Sequence, residues 1–158
     1  QLVNLCDSKP DSIVVINTAA RNNQGVSSYG ETLNSTLNEL KRKLITLWVI
    51  NRQRDSLELL KEYMDAIPNA DVHIIRNGYF GDEKKFELYN GSKLRTAVEE
   101  KGGKSLTFPD LADRVSDDIY SKRMAISIAS KELPIGNRAE LTRWRNDVKK
   151  VLCEVASS

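Results

Sequence analysis

The chain has 158 residues, 40% hydrophobic and 29% charged, a balance that suits one folded domain and excludes disorder and fibrous repeats. With 24 Lys and Arg against 22 Asp and Glu, the net charge of +2 is too small to mark a nucleic-acid or membrane partner by itself. No apolar run approaches the roughly 18 residues of a membrane span, and Cys6 and Cys153 match no metal or redox spacing, which points to reduced thiols in a cytoplasmic protein.

The chain opens on a helical pattern at Leu2, Val3, Leu5 and Cys6. Ser12 to Ile16 follows as a short run rich in β-branched side chains, and Leu44 to Ile50, Asp71 to Ile75 and Lys104 to Phe108 share its character. Apolar on both faces, these runs predict strands of a buried parallel sheet near residues 12–17, 44–50, 71–76 and 104–108. Between them the period lengthens to that of helices. Leu33, Leu37, Leu40 and Leu44 share one face, Leu57, Leu60, Met64 and Ile67 a second, and Leu94, Ala97, Val98 and Lys101 a third.

Ser28 with Glu31, Asp55 with Glu58, and Asn137 with Glu140 each set a capping side chain three residues before a glutamate, the pattern of a helix start. Lys41, Arg42 and Lys43 predict a solvated helix end whose cations complement the dipole. Asp110 to Ser130 reads as one broken helix or two consecutive ones, Pro134 and Gly136 interrupt, and Asn137 to Val155 forms a long amphipathic helix. The fold class is α/β: a single domain over residues 1–158, with a parallel sheet of about four strands, flanking helices and a helical C-terminal segment.

His73, the one histidine, sits in an apolar strand and predicts a packed imidazole, which removes histidine triads and zinc sites from consideration. Gly102-Gly103-Lys104-Ser105 looks like the tail of a phosphate loop, but it ends a helix and precedes a strand, so it predicts a helix C-cap. With no nucleophile elbow, dinucleotide glycine pattern or metal-ligand spacing, no catalytic or metal-binding residue is assigned.

In open parallel sheets, ligands sit beyond the carboxyl ends of the strands. Those ends carry Asn17-Thr18, Asn51-Arg52, Asn77-Gly78 and Phe108-Pro109-Asp110. A carboxamide offers a donor and an acceptor that suit a purine edge or a phosphate-bound water network, and it also starts turns well; both readings stand. The loop Gly78 to Phe86 carries glycines and aromatics that fit a lid over a ligand or a segment docked on the body of the domain.

The order Ser12 to Ala20, then Leu47 to Asn51 followed by a helix, then Val72 to Asn77, then Leu106 to Asp110, resembles the second half of the ParA/MinD class of deviant Walker ATPases. Within that class it is most similar to the plasmid-encoded branch concerned with stability, partition and conjugative mobilisation. The resemblance runs from about Ser12 to Leu152 and implies a P-loop NTPase-like three-layer architecture lacking its N-terminal phosphate-loop unit, hence a portion of a longer ATPase. Asn17, with Thr18, stands where the family ends a strand in the aspartate that holds the magnesium-water network. Asn77, with Gly78, stands where the family's asparagine contacts adenine, and Pro109 and Asp110 lie in the loop that borders the base.

Two departures accompany the match. Asn17 lacks the negative charge that suits a hard cation, and the chain begins after the place of the phosphate loop. ATP and magnesium are therefore implied only with an upstream phosphate loop, and this stretch by itself hydrolyses nothing. The resemblance also implies a homodimer and a partition or mobilisation partner protein. The alternative is a nucleotide-free interaction module of a plasmid or mobile element.

On the final helix, Leu141, Trp144, Val148, Val151, Leu152 and Val155 line one face, which assigns Trp144 to the core. The remaining surface offers Arg143, Arg145, Lys149 and Lys150, with Arg138 nearby. Such a face either tracks DNA phosphates without reading sequence or is a solvated surface balanced by Glu140, Asp147 and Glu154.

Overall fold

The structure, a computed structural model, describes residues 1–18, 23–68 and 70–156. Strands β1 (Ile45–Ile50), β2 (Asp71–Asn77) and β3 (Ser105–Phe108) form a parallel sheet in the order β1-β2-β3. Two helices, α1 (Leu2–Ser8) and α2 (Asn23–Leu37), precede it. Parallel neighbours need a crossover between them. Helix α3 (Asp55–Ala66) supplies it from β1 to β2, and α4 (Glu87–Asn90) with α5 (Lys93–Glu100) from β2 to β3. Helices α6 (Asp113–Ser121), α7 (Ile126–Glu132) and α8 (Ile135–Ala156) follow, so the segment after Asp110 holds two consecutive helices before the long one. Among the described residues no helix is long and apolar enough to cross a membrane.

The pleat sends alternate side chains to opposite faces. On one face Trp48, Ile50, Val72 and Ile74 pack with Leu57, Leu60, Met64, Phe86 and Val98 into the larger core. The Thr46 and Tyr63 hydroxyls, 2.6 Å apart, tie β1 to α3. A second core of Val115, Ala129, Leu133 and Leu141 lies within α6–α8, and Trp144 joins it to the sheet through an edge-on contact with Phe108, ring centroids 5.9 Å apart.

The glycine pair closes α5 as its sequence predicts. Gly102 takes φ +83°, a conformation that costs glycine little, while the Gly103 amide donates to Val98 O at 2.9 Å. His73 is packed in the sheet, and its Nδ1 accepts from the Lys104 amide at 3.1 Å. Burial disfavours the charged imidazolium and holds this histidine below its ordinary pKa.

Several expectations are corrected. Ser12 to Asn17 is not a strand: the segment runs irregularly, with Ile13 93% and Val15 87% exposed. Composition makes a strand possible, but the backbone groups need a neighbour to pair with, and among the described residues this segment has no ladder partner. Ala19 and Ala20, which close the same motif, lie outside the described residues. Helix α2 ends at Leu37 and Lys41 adopts φ 51°, so Leu40 and Leu44 leave the predicted face.

The helix-start pattern also misplaces residues. Ser28 lies inside α2 and Asn137 inside α8. Asp55 is the first residue of α3, with its carboxylate accepting from the Ser56 amide at 2.8 Å. Asn137 instead links helices, accepting from Arg114 at 3.2 Å and donating to Asp118 at 3.0 Å. Arg42 is no solvated cation either. Its guanidinium donates to the carbonyls of Ser12 at 2.8 Å, Cys6 at 2.9 Å and Lys9, fastening the N-terminal segment beside the foot of β1.

Candidate functional site

Asn51, Asn77 and Phe108 close the three strands at one edge of the sheet. Two of these ends are built as turns. Asn51 Oδ1 accepts from the Gln53 amide at 2.8 Å, and Asn77 Oδ1 accepts from the Tyr79 amide at 3.1 Å. Each asparagine accepts from the amide two residues further on, the Asx geometry this residue adopts readily.

Asn77 and Phe108 are register partners, and the chain past them stays close. A Cβ added at Gly78 would stand 2.3 Å from Phe108 O and 3.1 Å from the Asp110 amide, so only glycine lets the two strand ends approach this far. Trp144 Nε1 donates to Pro109 O at 2.8 Å and fastens the same rim to α8. Asn77, Gly78, Pro109 and Asp110 thus come together. Asn17 and Thr18, both exposed, lie outside the three-stranded sheet.

Beyond Gly78 the loop makes two short 3-10 turns, Gly78–Phe80 and Glu83–Lys85. Its far end is docked: Phe86 and Tyr89 are buried, and the Asn90 carboxamide donates to Glu83 O at 2.8 Å. Tyr79 and Phe80 at the tip are exposed and meet edge-on at 5.3 Å. Between this tip and the end of β1 lies a cavity of about 360 Å³, with Asn51, Arg52 and Gln53 on one side and Phe80, Lys85 and Leu88 on the other.

One residue beneath the rim went unassigned in the sequence. Arg76 is 1% exposed, yet it donates to Ser105 O at 3.1 Å and to Asn90 Oδ1 at 3.0 Å, with Glu83 at 3.7 Å. Its guanidinium carbon lies 5.6 Å from the centroid of the Tyr89 ring. The signal was present: a lone arginine within an apolar strand must find partners when buried.

The four basic residues of α8 do not share one face. Successive helical residues turn by about 100°, which sets Arg143 beside Lys150 and sends Arg145 and Lys149 to the opposite flank. On the first flank, Arg143 binds Glu140 at 2.6 Å and Asp147 at 2.9 Å, and Lys150 binds Asp147 at 3.0 Å. Hydrogen bonding to Glu140 raises the Arg143 pKa, and the Lys150 contact lowers that of Asp147. On the second flank, Arg145 donates to Ser130 at 3.1 Å. With Lys149 it borders a groove of about 540 Å³ over Ile126, Trp144, Val148 and Leu152. Trp144 is half-buried there, so the core assignment holds for one side of its ring only.

Among the described residues no group of three or more His, Cys, Asp or Glu could hold a metal ion. No protein-family model matches the chain. No solved structure matches it either. Protein MobD of Acidithiobacillus ferrooxidans is 88% identical over 152 residues, a match covering 96% of this chain and 67% of the relative. The chain belongs to the MobD family. About a third of the MobD relative lies beyond the match, while the rim at Asn77 and the helix α8 fall within a chain that is matched almost throughout.

Proposed function

We propose that this MobD-family chain is a single α/β domain of a mobilisation protein of ParA/MinD type, with P-loop NTPase-like architecture. In this reading the base of ATP rests on the rim formed by Asn77, Gly78, Pro109 and Asp110. The observation that carries it is the close approach of Gly78 to Phe108 O and the Asp110 amide, which fixes these residues at the carboxyl ends of two parallel strands. Asn17 and Thr18 would contribute to magnesium from outside the three-stranded sheet. The phosphates and magnesium need donors that a longer chain supplies, so the 158 residues alone bind ATP weakly and hydrolyse none.

Calorimetry with ATP and magnesium tests the reading. A MobD-length protein is expected to bind, and Asn77→Ala to weaken binding by about tenfold, the value of one lost hydrogen bond. Failure of the unsubstituted MobD-length protein to bind ATP ends this reading. A nucleotide-free interaction module is then left, and one observation favours it: Asn77 Oδ1 already serves the Tyr79 amide.

The same reading includes a cytoplasmic homodimer that meets a mobilisation partner protein and contacts DNA nonspecifically. Among the four cations, Arg145 and Lys149 carry the DNA contact, because Arg143 and Lys150 are already neutralised by Glu140 and Asp147. In a salt titration of DNA binding, Arg145→Ala and Lys149→Ala should each reduce the salt slope by about one, and Arg143→Ala by less. Equal effects at Arg143 and Arg145 would contradict this division.

A further inference from the structure

The tip of the Gly78 to Phe86 loop leaves two aromatic rings in solvent. Tyr79 is 68% and Phe80 40% exposed, and Leu88 on α4 is 55% exposed. One such side chain is ordinary on a surface, whereas apolar groups gathered around a cavity mark a binding site. Phe80 and Leu88 line the cavity of about 360 Å³ beside the end of β1, and Tyr79 meets Phe80 edge-on. The tip is also held. The Tyr79 amide donates to Asn77, the Gly81 amide to Gly78 O at 3.0 Å, and the Lys84 amide to Asp82 at 3.1 Å. The rings therefore stand in place before any ligand arrives, which lowers the ordering cost of binding.

The rest of the lining is polar and underused. Asn51 engages its carboxamide oxygen in a turn, but its nitrogen and the whole Gln53 carboxamide have no partner among the described residues. Arg52 and Lys85 are exposed and form no ion pair among the described residues. The Lys85 stem lies against the tip, since a Cβ added at Gly81 would stand 2.9 Å from its Cγ. Glu87 is the one carboxylate of the lining.

We propose that this cavity binds single-stranded nucleic acid, with one base stacked on Phe80 and its flanking phosphates on Arg52 and Lys85. An exposed ring offers a face on which any base can stack, and the two cations neutralise the backbone. The free amide groups of Asn51 and Gln53 present donors and an acceptor to the base edge. Glu87 accepts only, which favours a base with an exocyclic amine, such as cytosine, over thymine, which has none. The lining selects this ligand over two others. An acidic peptide would satisfy the cations but set its own charge against Glu87, and a duplex keeps its bases stacked away from Phe80. No residue of the rim at Asn77 and none of α8 lines the cavity, so a failed ATP titration leaves the inference untouched.

Fluorescence anisotropy on the 158-residue chain tests it, with labelled oligo-dC and oligo-dT of about a dozen nucleotides and a duplex of equal length. Oligo-dC should bind more tightly than oligo-dT, and Glu87→Ala should remove the difference. Phe80→Ala should weaken oligo-dC binding by about 5- to 100-fold, the range of one lost stack, and leave the duplex unchanged. Arg52→Ala and Lys85→Ala should each lower the single-strand salt slope by about 0.7. All four side chains are exposed, so each variant should keep the wild-type melting temperature. Absence of oligo-dC binding by wild type at low salt overturns the proposal, and so does equal affinity in Phe80→Ala. An equal loss of duplex binding in Phe80→Ala also overturns it, because the ring would then not be reading an unpaired base. Displacement of labelled oligo-dC by ATP at equal phosphate concentration would assign the cavity to a mononucleotide and overturn the strand as its occupant.

Discussion

Arg76→Ala is expected to remove about 2–4 kcal/mol of stability through the cavity and the two lost hydrogen bonds, enough to weaken a marginal domain severely. The guanidinium is 1% exposed and joins three elements: the Ser105 carbonyl of β3, the Asn90 carboxamide at the end of α4, and the Glu83 carboxylate of the loop. Alanine leaves a half-buried carbonyl and a carboxamide without their charged donor and opens a cavity against Tyr89. Arg76→Met separates these effects. It fills most of the volume but donates nothing, so its loss should be about half that of alanine. Urea denaturation of both variants measures the difference, and an Arg76→Ala protein that unfolds at the wild-type midpoint would show that the network holds nothing. The residue matters for the rim because it immediately precedes Asn77. An arginine fixed on both β3 and α4 sets the direction in which the strand end leaves the sheet.

The reach of the sequence can be judged from the same residues. Val72, Ile74 and Ile75 are apolar on both faces of β2 and are buried on both, so composition alone located the strand. Ser12 to Ile16 has the same composition and no ladder partner, and composition carries no information about which neighbours are present. The caps failed for a related reason. A polar residue three positions before a glutamate recurs inside helices, as at Ser28 and Asn137, and only backbone geometry distinguishes a start from an interior. The asparagines at the strand ends were legible as turn formers, and Asn51 and Asn77 make those turns.

Arg76 escaped because periodicity counts apolar residues, so a buried cation registers as an interruption rather than as the centre of a network. The basic quartet on α8 was legible and misgrouped. The angular step of a helix already places Arg143 and Arg145 far apart. The pairing of Arg143 with Glu140 and Asp147 follows from their spacing of three and four residues.

Gly78→Ala is expected to destabilise the domain by about 2–4 kcal/mol, because the new methyl meets backbone rather than a movable side chain. Its Cβ would lie 2.3 Å from Phe108 O and 3.1 Å from the Asp110 amide, so the ends of β2 and β3 must part to admit it. Gly103→Ala provides the matched comparison. There the Cβ would stand 2.2 Å from Val72 O, a clash of the same kind between the same two strands but at their amino ends. Gly136→Ala, near the start of α8 with nothing within 4 Å of the added carbon, should be neutral or stabilising by up to about 1 kcal/mol. Thermal melts should therefore rank Gly136→Ala at or above wild type and the other two well below it. Under the rim reading, the two destabilised variants differ in one respect: built into a MobD-length protein and titrated well below their melting temperatures, Gly103→Ala retains ATP affinity and Gly78→Ala loses it. Equal affinities would detach the rim from nucleotide binding, and wild-type stability in Gly78→Ala would mean that the two strand ends do not meet this closely in solution.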